Sequence, residues 1–450
     1  MTSKLILLRS SLLAAGLAAL MAIVAAPPAA HAAVCTSTTN GNWSSVTWSG
    51  CTPGAGDDVV IDSNVTLDGN VTVRGITINS GRTFNNGAST LTAAAGYLTN
   101  NGTYDGGTGT YAFTAAGGVY GSSITAFNNV TIAAGVDFQG GASPAVVNGS
   151  LTINSGGFVV TGKAPSYASG STLRYSSGGS YTAGEEWYPN TTSGPGVPHH
   201  VEISSGTTLT FGSSAFARTA KGNVTIGGTL TLSSAAGGNL NLGGNWALNG
   251  GTFNHNSRTV TFNGNSAQTI GGSTSATFQD LTIDNAAGVT LGQFQTVRGL
   301  FTLANGNFSL GAYLLTLNSA GGGIAATGAR TITGPGFGGA GISIFGDKTM
   351  SGGPLTFASN ASLSIYANVD FGASVSTING FLSIFDGGAV INNPPTYGSS
   401  AGLSYRKTGT YNRGLEWSAA SGAGYPNSVS VTGGTLNYDS GNPAADRMRG

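Results

Sequence analysis

The chain is poor in charged residues. Only 8% of its 450 residues are Asp, Glu, Lys or Arg, whereas ordinary soluble domains carry roughly 25%. The 17 basic and 17 acidic residues also cancel, so there is no net electrostatic field that would attract nucleic acid or an anionic membrane. We therefore expect no nucleic-acid-binding function.

Helical periodicity and long apolar segments are also lacking, except at the N-terminus. There, two basic residues precede an apolar run over residues 10–26, which is followed by two prolines and by the A-x-A sequence Ala30-His31-Ala32. This pattern is typical of a bacterial secretory signal over residues 1–32. An uncleaved anchor is one alternative reading, and a lipoprotein with a lipidated Cys35 is another, although Val34 is a poor fit just before such a cysteine. We expect an exported protein, extracellular or on the outer cell surface, with no transmembrane segment after cleavage.

Cysteine is nearly absent as well, with two residues at Cys35 and Cys51. In an exported protein, two cysteines this close together predict one disulfide, which stabilises the fold by on the order of 3 kcal/mol. A metal site is the alternative, but no histidine remains nearby once His31 has left with the signal.

What the chain has in abundance is glycine, with 75 residues, and a short triplet of an apolar residue, Thr or Ser, and a second apolar residue. In a strand, residues two apart share a face, so each triplet points two apolar side chains inward and one hydroxyl outward. Gly and Asn flank nearly every copy and suit tight turns. Copies lie at Val65-Thr-Leu67, Val71-Thr-Val73, Ile76-Thr-Ile78, Val130-Thr-Ile132, Leu151-Thr-Ile153, Val224-Thr-Ile226, Leu230-Thr-Leu232, Val260-Thr-Phe262, Leu281-Thr-Ile283, Val289-Thr-Leu291, Leu315-Thr-Leu317, Leu355-Thr-Phe357, Leu363-Ser-Ile365, Leu382-Ser-Ile384 and Val429-Ser-Val431.

This repetition predicts an all-β solenoid, one elongated unit rather than several globular domains. If each coil takes about 20 to 25 residues and coils stack at about 4.8 Å, the rod is on the order of 80 to 100 Å long. Paired asparagines at residues 85–86, 100–101 and 128–129 are predicted to stack into ladders at the corners of successive coils.

Residues 33–62 are predicted to form a cap over the N-terminal end of the solenoid, whose open edge has to be covered. The segment has Trp43 and Trp48 in a W-x(4)-W pattern, then P-G-x-G-D-D-V-V-I over residues 53–61. These motifs resemble the opening of secreted bacterial β-strand-repeat surface proteins of the adhesin or autotransporter-passenger type, and are similar to the start of G8-type β-helix domains. The resemblance implies a right-handed parallel β-helix, and it specifies architecture better than activity.

The solenoid, residues 63–450, also contains a duplicated block, at about 130–222 and again at about 363–450. The first copy has Pro165-Ser-Tyr167, Leu173-Arg-Tyr175, Tyr181 and Gly184-Glu-Glu186-Trp187, and the second has Pro395-Thr-Tyr397, Leu403-Ser-Tyr405, Tyr411 and Gly414-Leu-Glu416-Trp417. The second copy runs out in mid-repeat, so we expect either that the natural chain continues beyond Gly450 or that a natural stop leaves an unusually bare end.

The aromatic residues of the two copies suggest a binding site. Sugar rings stack on exposed aromatic faces, and two such patches on one rod could bind a glycan with avidity. The alternative is that these rings fill a widened coil or cover an inserted loop. The candidate glycan-binding residues are Tyr175, Tyr181, Glu186 and Trp187 in the first copy, and Tyr405, Tyr411, Glu416 and Trp417 in the second.

Few residues suggest catalysis or a cofactor. Asp57, Asp58 and Asp62 could hold calcium together with turn carbonyls, although turn formation is the simpler role, and no other cofactor is expected. The acidic residues are scattered, whereas glycosidases need two carboxylates about 5 to 10 Å apart. We therefore expect a structural or adhesive protein that presents loops and aromatic patches to polysaccharide or to glycans of host or other cells. A polysaccharide lyase or glycoside hydrolase is the first alternative, and a self-associating matrix or biofilm component is the second.

Overall fold

The structure is a computed structural model that describes residues 32–334, 341–374 and 376–437. Within them, parallel strands stack into an elongated β-solenoid of about 19 turns, which confirms the all-β solenoid predicted from the triplets. At a coil spacing of about 4.8 Å the rod is on the order of 90 Å long. The predicted signal up to residue 31, and residues 438–450 of the second block, lie outside the described residues.

Each complete coil passes through three strands, so the rod has three long faces, which we call faces I, II and III in the order in which the chain visits them. Strands of successive coils pair in parallel, as Val224–Ile226 does with Trp246–Leu248. At the N-terminus the short strand Trp48–Ser49 instead pairs antiparallel with Val34–Ser37.

Face I contains the groove described below. Its strands are Val34–Ser37, Asp58–Ile61, the ends of Val71–Ile78 and Thr90–Asn100, Gly117–Tyr120, Gly135–Asp137, Phe158–Val159, Ser180–Thr182, Thr208–Thr210, Thr229–Thr231, Thr252–Asn254, Ala276–Phe278, Gln295–Val297, Leu314–Leu317, Gly341–Ile344, Ser362–Ile365, Phe381–Phe385, Gly402–Asn412 and Ser428–Asn437.

Face II follows face I in each coil. Its strands are Gly41–Asn42, Val65–Thr66, Thr83–Asn85, Thr103–Asp105, the starts of Thr125–Ile132 and Val146–Asn154, Ser166–Tyr167, Arg218–Ala220, Leu240–Leu242, Thr259–Phe262, Asp280–Asp284, Leu300–Asn305, Gly323–Ala326, Lys348–Gly352, Asn368–Asp370 and Ala389–Val390.

Face III completes the coil. Its strands are the starts of Val71–Ile78 and Thr90–Asn100, Thr110–Phe113, the ends of Thr125–Ile132 and Val146–Asn154, Thr172–Ser176, His200–Ile203, Val224–Ile226, Trp246–Leu248, Gln268–Gly272, Val289–Leu291, Phe308–Ser309, Arg330–Thr333, Leu355–Phe357, Thr377–Ile378 and Thr396–Tyr397.

The triplets build the core as their alternation predicts. In Val224–Ile226 the two aliphatic side chains are buried and Thr225 between them is half-buried on the outside. Val224 lies between Val201 of the preceding coil and Trp246 of the next, so apolar side chains stack along the whole rod. Burying one such side chain contributes about 1.5 to 3 kcal/mol.

Asparagines connect coils at corners, but the predicted pairs do not stack on one another. The Oδ1 atom of Asn223 accepts the backbone N–H of Asn245, and Oδ1 of Asn245 accepts that of Thr269, both at 2.8 Å. Asn85, in contrast, lies between Thr66 and Asp105. The ladder prediction is wrong for these pairs because they do not meet in adjacent coils: residues 85–86 lie at the end of a face II strand, residues 100–101 at the end of a face I strand, and residues 128–129 two coils beyond 85–86.

The N-terminal segment packs on the first complete coil. Cys35 and Cys51 form the predicted disulfide. The ring of Trp43 contacts Trp48 and Phe84, with centroid distances of 4.7 and 6.2 Å, and its backbone N–H donates to the carbonyl of Thr66. Two large rings therefore cover the apolar end of the stack.

Candidate functional site

The first Glu-Trp segment is a short 3-10 helix, Glu185–Trp187, inserted where a strand of face II would otherwise lie. The side chain of Glu186 is fully buried. Its Oε1 atom accepts hydrogen bonds from the Tyr175 hydroxyl at 3.0 Å and the Gly184 N–H at 2.8 Å. The backbone carbonyl of Glu186 accepts the Tyr167 hydroxyl at 2.9 Å. The glutamate therefore ties the inserted turn to two strands.

The tryptophan of this segment connects it to the next coil. The indole N–H of Trp187 donates to the Thr219 carbonyl at 2.9 Å, and its ring meets Phe211 edge to face at a centroid distance of 5.0 Å. The guanidinium of Arg218 donates to the Ala183 carbonyl at 2.7 Å and lies 5.2 Å from the Phe211 ring centre. The inserted 3-10 helix therefore contacts the strands before it and the coil after it.

Burial dominates the titration of this cluster. It raises the pKa of the Glu186 carboxyl above its usual value, against the opposing effect of hydrogen bonds from Gly184 and Tyr175 and of the nearby Arg218. Burial also raises the pKa of the Tyr175 hydroxyl well above its usual value. Tyr175 therefore stays protonated and remains a hydrogen-bond donor to Glu186.

The second Glu-Trp segment, Leu415–Trp417, repeats this arrangement. Oε1 of Glu416 accepts the Tyr405 hydroxyl at 2.8 Å and the Gly414 N–H at 2.7 Å, and the Glu416 carbonyl accepts the Tyr397 hydroxyl at 2.9 Å. A cation again lies near an aromatic ring, here Arg413 at 5.7 Å from the Trp417 ring centre. The duplicated sequence therefore encodes one structural unit twice.

The two units lie on different faces of the rod. Tyr175 belongs to a face III strand, between Ile153 and Ile203 of the neighbouring coils. Tyr405 belongs to a face I strand, between Ile384 and Val431. The second unit is therefore displaced by one face around the axis, and the two cannot meet one straight ligand along a single face.

Most of the predicted glycan-binding residues lie in the core. Tyr175, Glu186, Trp187, Tyr405, Glu416 and Trp417 are buried, while Tyr181 and Tyr411 are half-buried and pack against Tyr175 and Tyr405. A sugar needs an open ring face for stacking. The geometry therefore favours the alternative that these residues hold an inserted loop in place.

The three N-terminal aspartates each have protein partners. Oδ2 of Asp57 accepts the Gly54 N–H at 3.0 Å within the turn. Asp58 forms an ion pair with Arg74 at 2.6 Å and accepts the Tyr97 hydroxyl. Asp62 lies 3.5 Å from Arg82 and accepts an amide N–H of Asn79. These carboxylates stabilise a turn and bind side chains of neighbouring coils. Their contacts fit a role in turn formation rather than in calcium binding.

A groove on face I of the described rod combines hydroxyl, aromatic and cationic side chains. It has a volume of about 560 Å³. Its floor is a ladder of outward-facing serines that lie opposite one another in successive coils. The serines are Ser343, Ser364, Ser383, Ser404 and Ser430.

The strand Phe381–Phe385 gives the groove two aromatic walls. Phe381 and Phe385 flank Ser383 on the outer surface of the strand, about 13 Å apart along the backbone by the rise of a strand. The Phe381 ring lies over Gly402 of the next coil, where a Cβ atom would come within 2.5 Å of it. Gly402 therefore leaves the space in which the Phe381 ring lies at this side of the groove.

An aromatic stack extends one wall. The rings of Phe385 and Tyr366 are stacked at a centroid distance of 4.3 Å, and those of Tyr366 and Phe345 at 4.4 Å. Arg406 lies opposite Phe385 in the next coil, with its guanidinium 6.0 Å from that ring centre. The wall is aromatic along its length, and the positively charged Arg406 lies at its end.

Neither family models, nor curated proteins, nor solved structures match this chain. The likeness to β-strand-repeat surface proteins and G8-type domains therefore stays a resemblance. The described residues include no helix with the length and apolar character of a membrane span.

Sequence reasoning missed the groove, although two signals were present. From residue 343 onward the central residue of the face I triplets is Ser, whereas it is Thr at 277, 296 and 316 of the same face. Aromatic residues also follow three successive triplets at Phe345, Tyr366 and Phe385. Neither signal can be interpreted until the strands are assigned to one face.

Proposed function

We propose that this chain is an exported structural or adhesive rod, which holds a binding groove on one face away from the surface that carries it. The observation that supports this most is the groove itself: hydroxyl floor, aromatic walls and one charged residue on an otherwise regular shaft. A low-charge rod of stacked coils suits a spacer, because each coil adds length without adding a separate domain.

The groove gives little support to a glycoside hydrolase, one form of the first alternative. Hydrolysis of a glycosidic bond requires two carboxylates on opposite sides of the bond. The described residues that line the groove include Arg406 but no Asp or Glu. The lining therefore favours binding over hydrolysis, and a lyase is distinguished by the assay for unsaturated products.

The test combines location with activity. We expect the mature protein in the medium or on the cell surface when producing cells are fractionated, identified by intact mass with one disulfide. The purified protein should then bind intact cells or extracellular matrix, and release no reducing ends or unsaturated products from a panel of polysaccharides. A periplasmic or cytoplasmic location would contradict the proposal, and product release would replace it with the enzyme. Concentration-dependent sedimentation without cell binding would favour the matrix component.

A further inference from the structure

We infer that the face I groove binds an anionic polysaccharide, whose chain lies along the rod axis with an acidic group paired to Arg406. This inference rests on the proposed function and names the ligand of that groove. The inference follows from three observations: the serine ladder, the hydroxyl of Ser404 without a partner, and the position of the charged residue Arg406.

The serine ladder favours a polymer with hydroxyl groups at regular intervals. Ser364, Ser383 and Ser404 lie opposite one another in adjacent coils, so their hydroxyls repeat at about 4.8 Å along the axis. Each hydroxyl can donate one hydrogen bond and accept two. A peptide strand would instead require a free strand edge, and the floor of this groove is the outer surface of paired strands.

Ser404 indicates that the floor is built to receive a polar ligand. Its side chain is 3% exposed, and its Oγ atom has no hydrogen-bond partner among the described residues. A buried hydroxyl without a partner is unfavourable. A sugar hydroxyl lying on the floor would supply the missing hydrogen bond.

The walls suit pyranose rings. Phe381 and Phe385 stand on either side of Ser383 and present apolar surface to the space above it. Sugar rings carry C–H groups on their faces and hydroxyls around their edges. A pyranose chain in the groove would therefore set C–H groups against the walls and hydroxyls on the floor.

Arg406 gives the groove its preference for an acidic sugar. It is exposed, and no carboxylate of the described residues lies within ion-pair distance of it. Its guanidinium is held near the Phe385 ring at the end of the wall. A guanidinium matches carboxylate and sulfate groups through paired N–H donors, so both uronic acids and sulfated sugars fit.

The test uses the full mature protein and polymers of defined chemistry. The probes are polygalacturonate, alginate, hyaluronan and dextran sulfate, each of the first three with its carboxyl-reduced counterpart and the last with plain dextran. We expect at least one anionic polymer to bind about 10- to 100-fold more tightly than its neutral counterpart, as a charge-assisted hydrogen bond implies. Binding should weaken with added salt. The uronate and dextran sulfate arms distinguish the two anions.

Variants connect this binding to the groove. Arg406→Gln should remove the preference for the anionic polymer, and Ser383→Leu should block the floor for both members of a pair. Lys407→Gln removes the neighbouring positive charge outside the groove, and Thr302→Leu places the same bulk on face II, so both should bind as the parent does. Circular dichroism would verify that every variant is folded.

Two outcomes would overturn the inference: no anionic polymer binds better than its neutral counterpart, or Arg406→Gln and Ser383→Leu bind as the parent does. Neither outcome would contradict the proposed function, because export and cell binding are measured in separate experiments. If the variants lose polysaccharide binding but still bind cells, the groove has this ligand and the rod has a further adhesive surface.

Discussion

Glu186 and Glu416 are buried acidic residues in a chain that has few charges, and both accept a tyrosine hydroxyl and a glycine N–H on the same oxygen. A buried carboxyl group needs donors, and here both donors reach Oε1, while Oε2 of each glutamate has no partner among the described residues. The tyrosines are therefore expected to stabilise the inserted turns rather than to contact a ligand.

Replacing Tyr175 with Phe tests this role. The variant keeps the ring but removes the donor to Glu186, and should lower the free energy of unfolding by about 1 to 3 kcal/mol. Because different parts of the rod are expected to unfold at different urea concentrations, the change is measured on the signal of the nearby tryptophan, Trp187 for this variant and Trp417 for Tyr405→Phe. Tyr405→Phe should have an effect of the same sign, whereas Tyr188→Phe, on an exposed ring, should have none. An unchanged midpoint for Tyr175→Phe would show that the hydrogen bond is dispensable.

Glu186 should also make stability depend on pH. Its pKa is raised by burial above the usual 4.5, so the folded state favours the protonated form. The corresponding stability is fully present below about pH 4.5 and is lost as the pH rises through the folded-state pKa. Glu186→Gln stays neutral, so parent and variant should diverge with increasing pH, by at most about 1.4 kcal/mol per pH unit within that window.

The measurement is a series of urea midpoints from pH 4 to 8 for the parent, Glu186→Gln and the control Glu185→Gln. The control removes a carboxyl one residue away that is only half-buried. Comparing variants at each pH cancels the titration of all other groups. A constant difference between the parent and Glu186→Gln across the range would contradict the prediction.

At the scale of elements, alternation within a strand was predictable and the placement of strands around the axis was not. The pattern of Val224–Ile226 follows from the sequence, because side chains of a strand alternate between two faces. The sequence does not predict that Tyr175 and Tyr405 lie on different faces. That placement depends on the lengths of all the turns between the two residues. The same limit hid the groove, which combines Ser383 and Phe385 with Ser404 and Arg406 of the next coil.

The N-terminal cap allows a prediction for one element. The disulfide between Cys35 and Cys51 closes a short loop and contributes on the order of 3 kcal/mol. In a solenoid each coil contacts its neighbours, so the loss should be local. The double variant Cys35→Ser, Cys51→Ser should lose amide protection in Val34–Ser37 and Asp58–Ile61, which pair with each other.

Hydrogen exchange with mass spectrometry measures this protection by segment. The internal control is the distant strand Val289–Leu291, whose partners are the strands of the adjacent coils and whose exchange should not change. Uniform loss of protection along the chain would show that the cap governs the stability of the whole rod.

At the scale of the whole molecule, stacked coils imply unfolding in more than one step. Long-range coupling needs contacts between distant parts of the chain, and here parallel pairing connects each coil to the next along about 19 turns. The low content of charged residues also leaves little long-range electrostatic interaction. We therefore expect the two ends and the centre to unfold at different concentrations of denaturant.

The five tryptophans are distributed along the rod and can report its stepwise unfolding. Trp43 and Trp48 lie in the cap, Trp187 and Trp246 in the central coils, and Trp417 near the C-terminal end of the described rod. With 5-fluorotryptophan incorporated, each should give its own fluorine resonance, assigned by single Trp→Phe changes. The folded signals should disappear at separate urea midpoints, with Trp43 and Trp48 together because their rings are in contact. Five coincident midpoints would mean that the rod unfolds as one cooperative unit, and that the coupling between coils exceeds the stability of any segment.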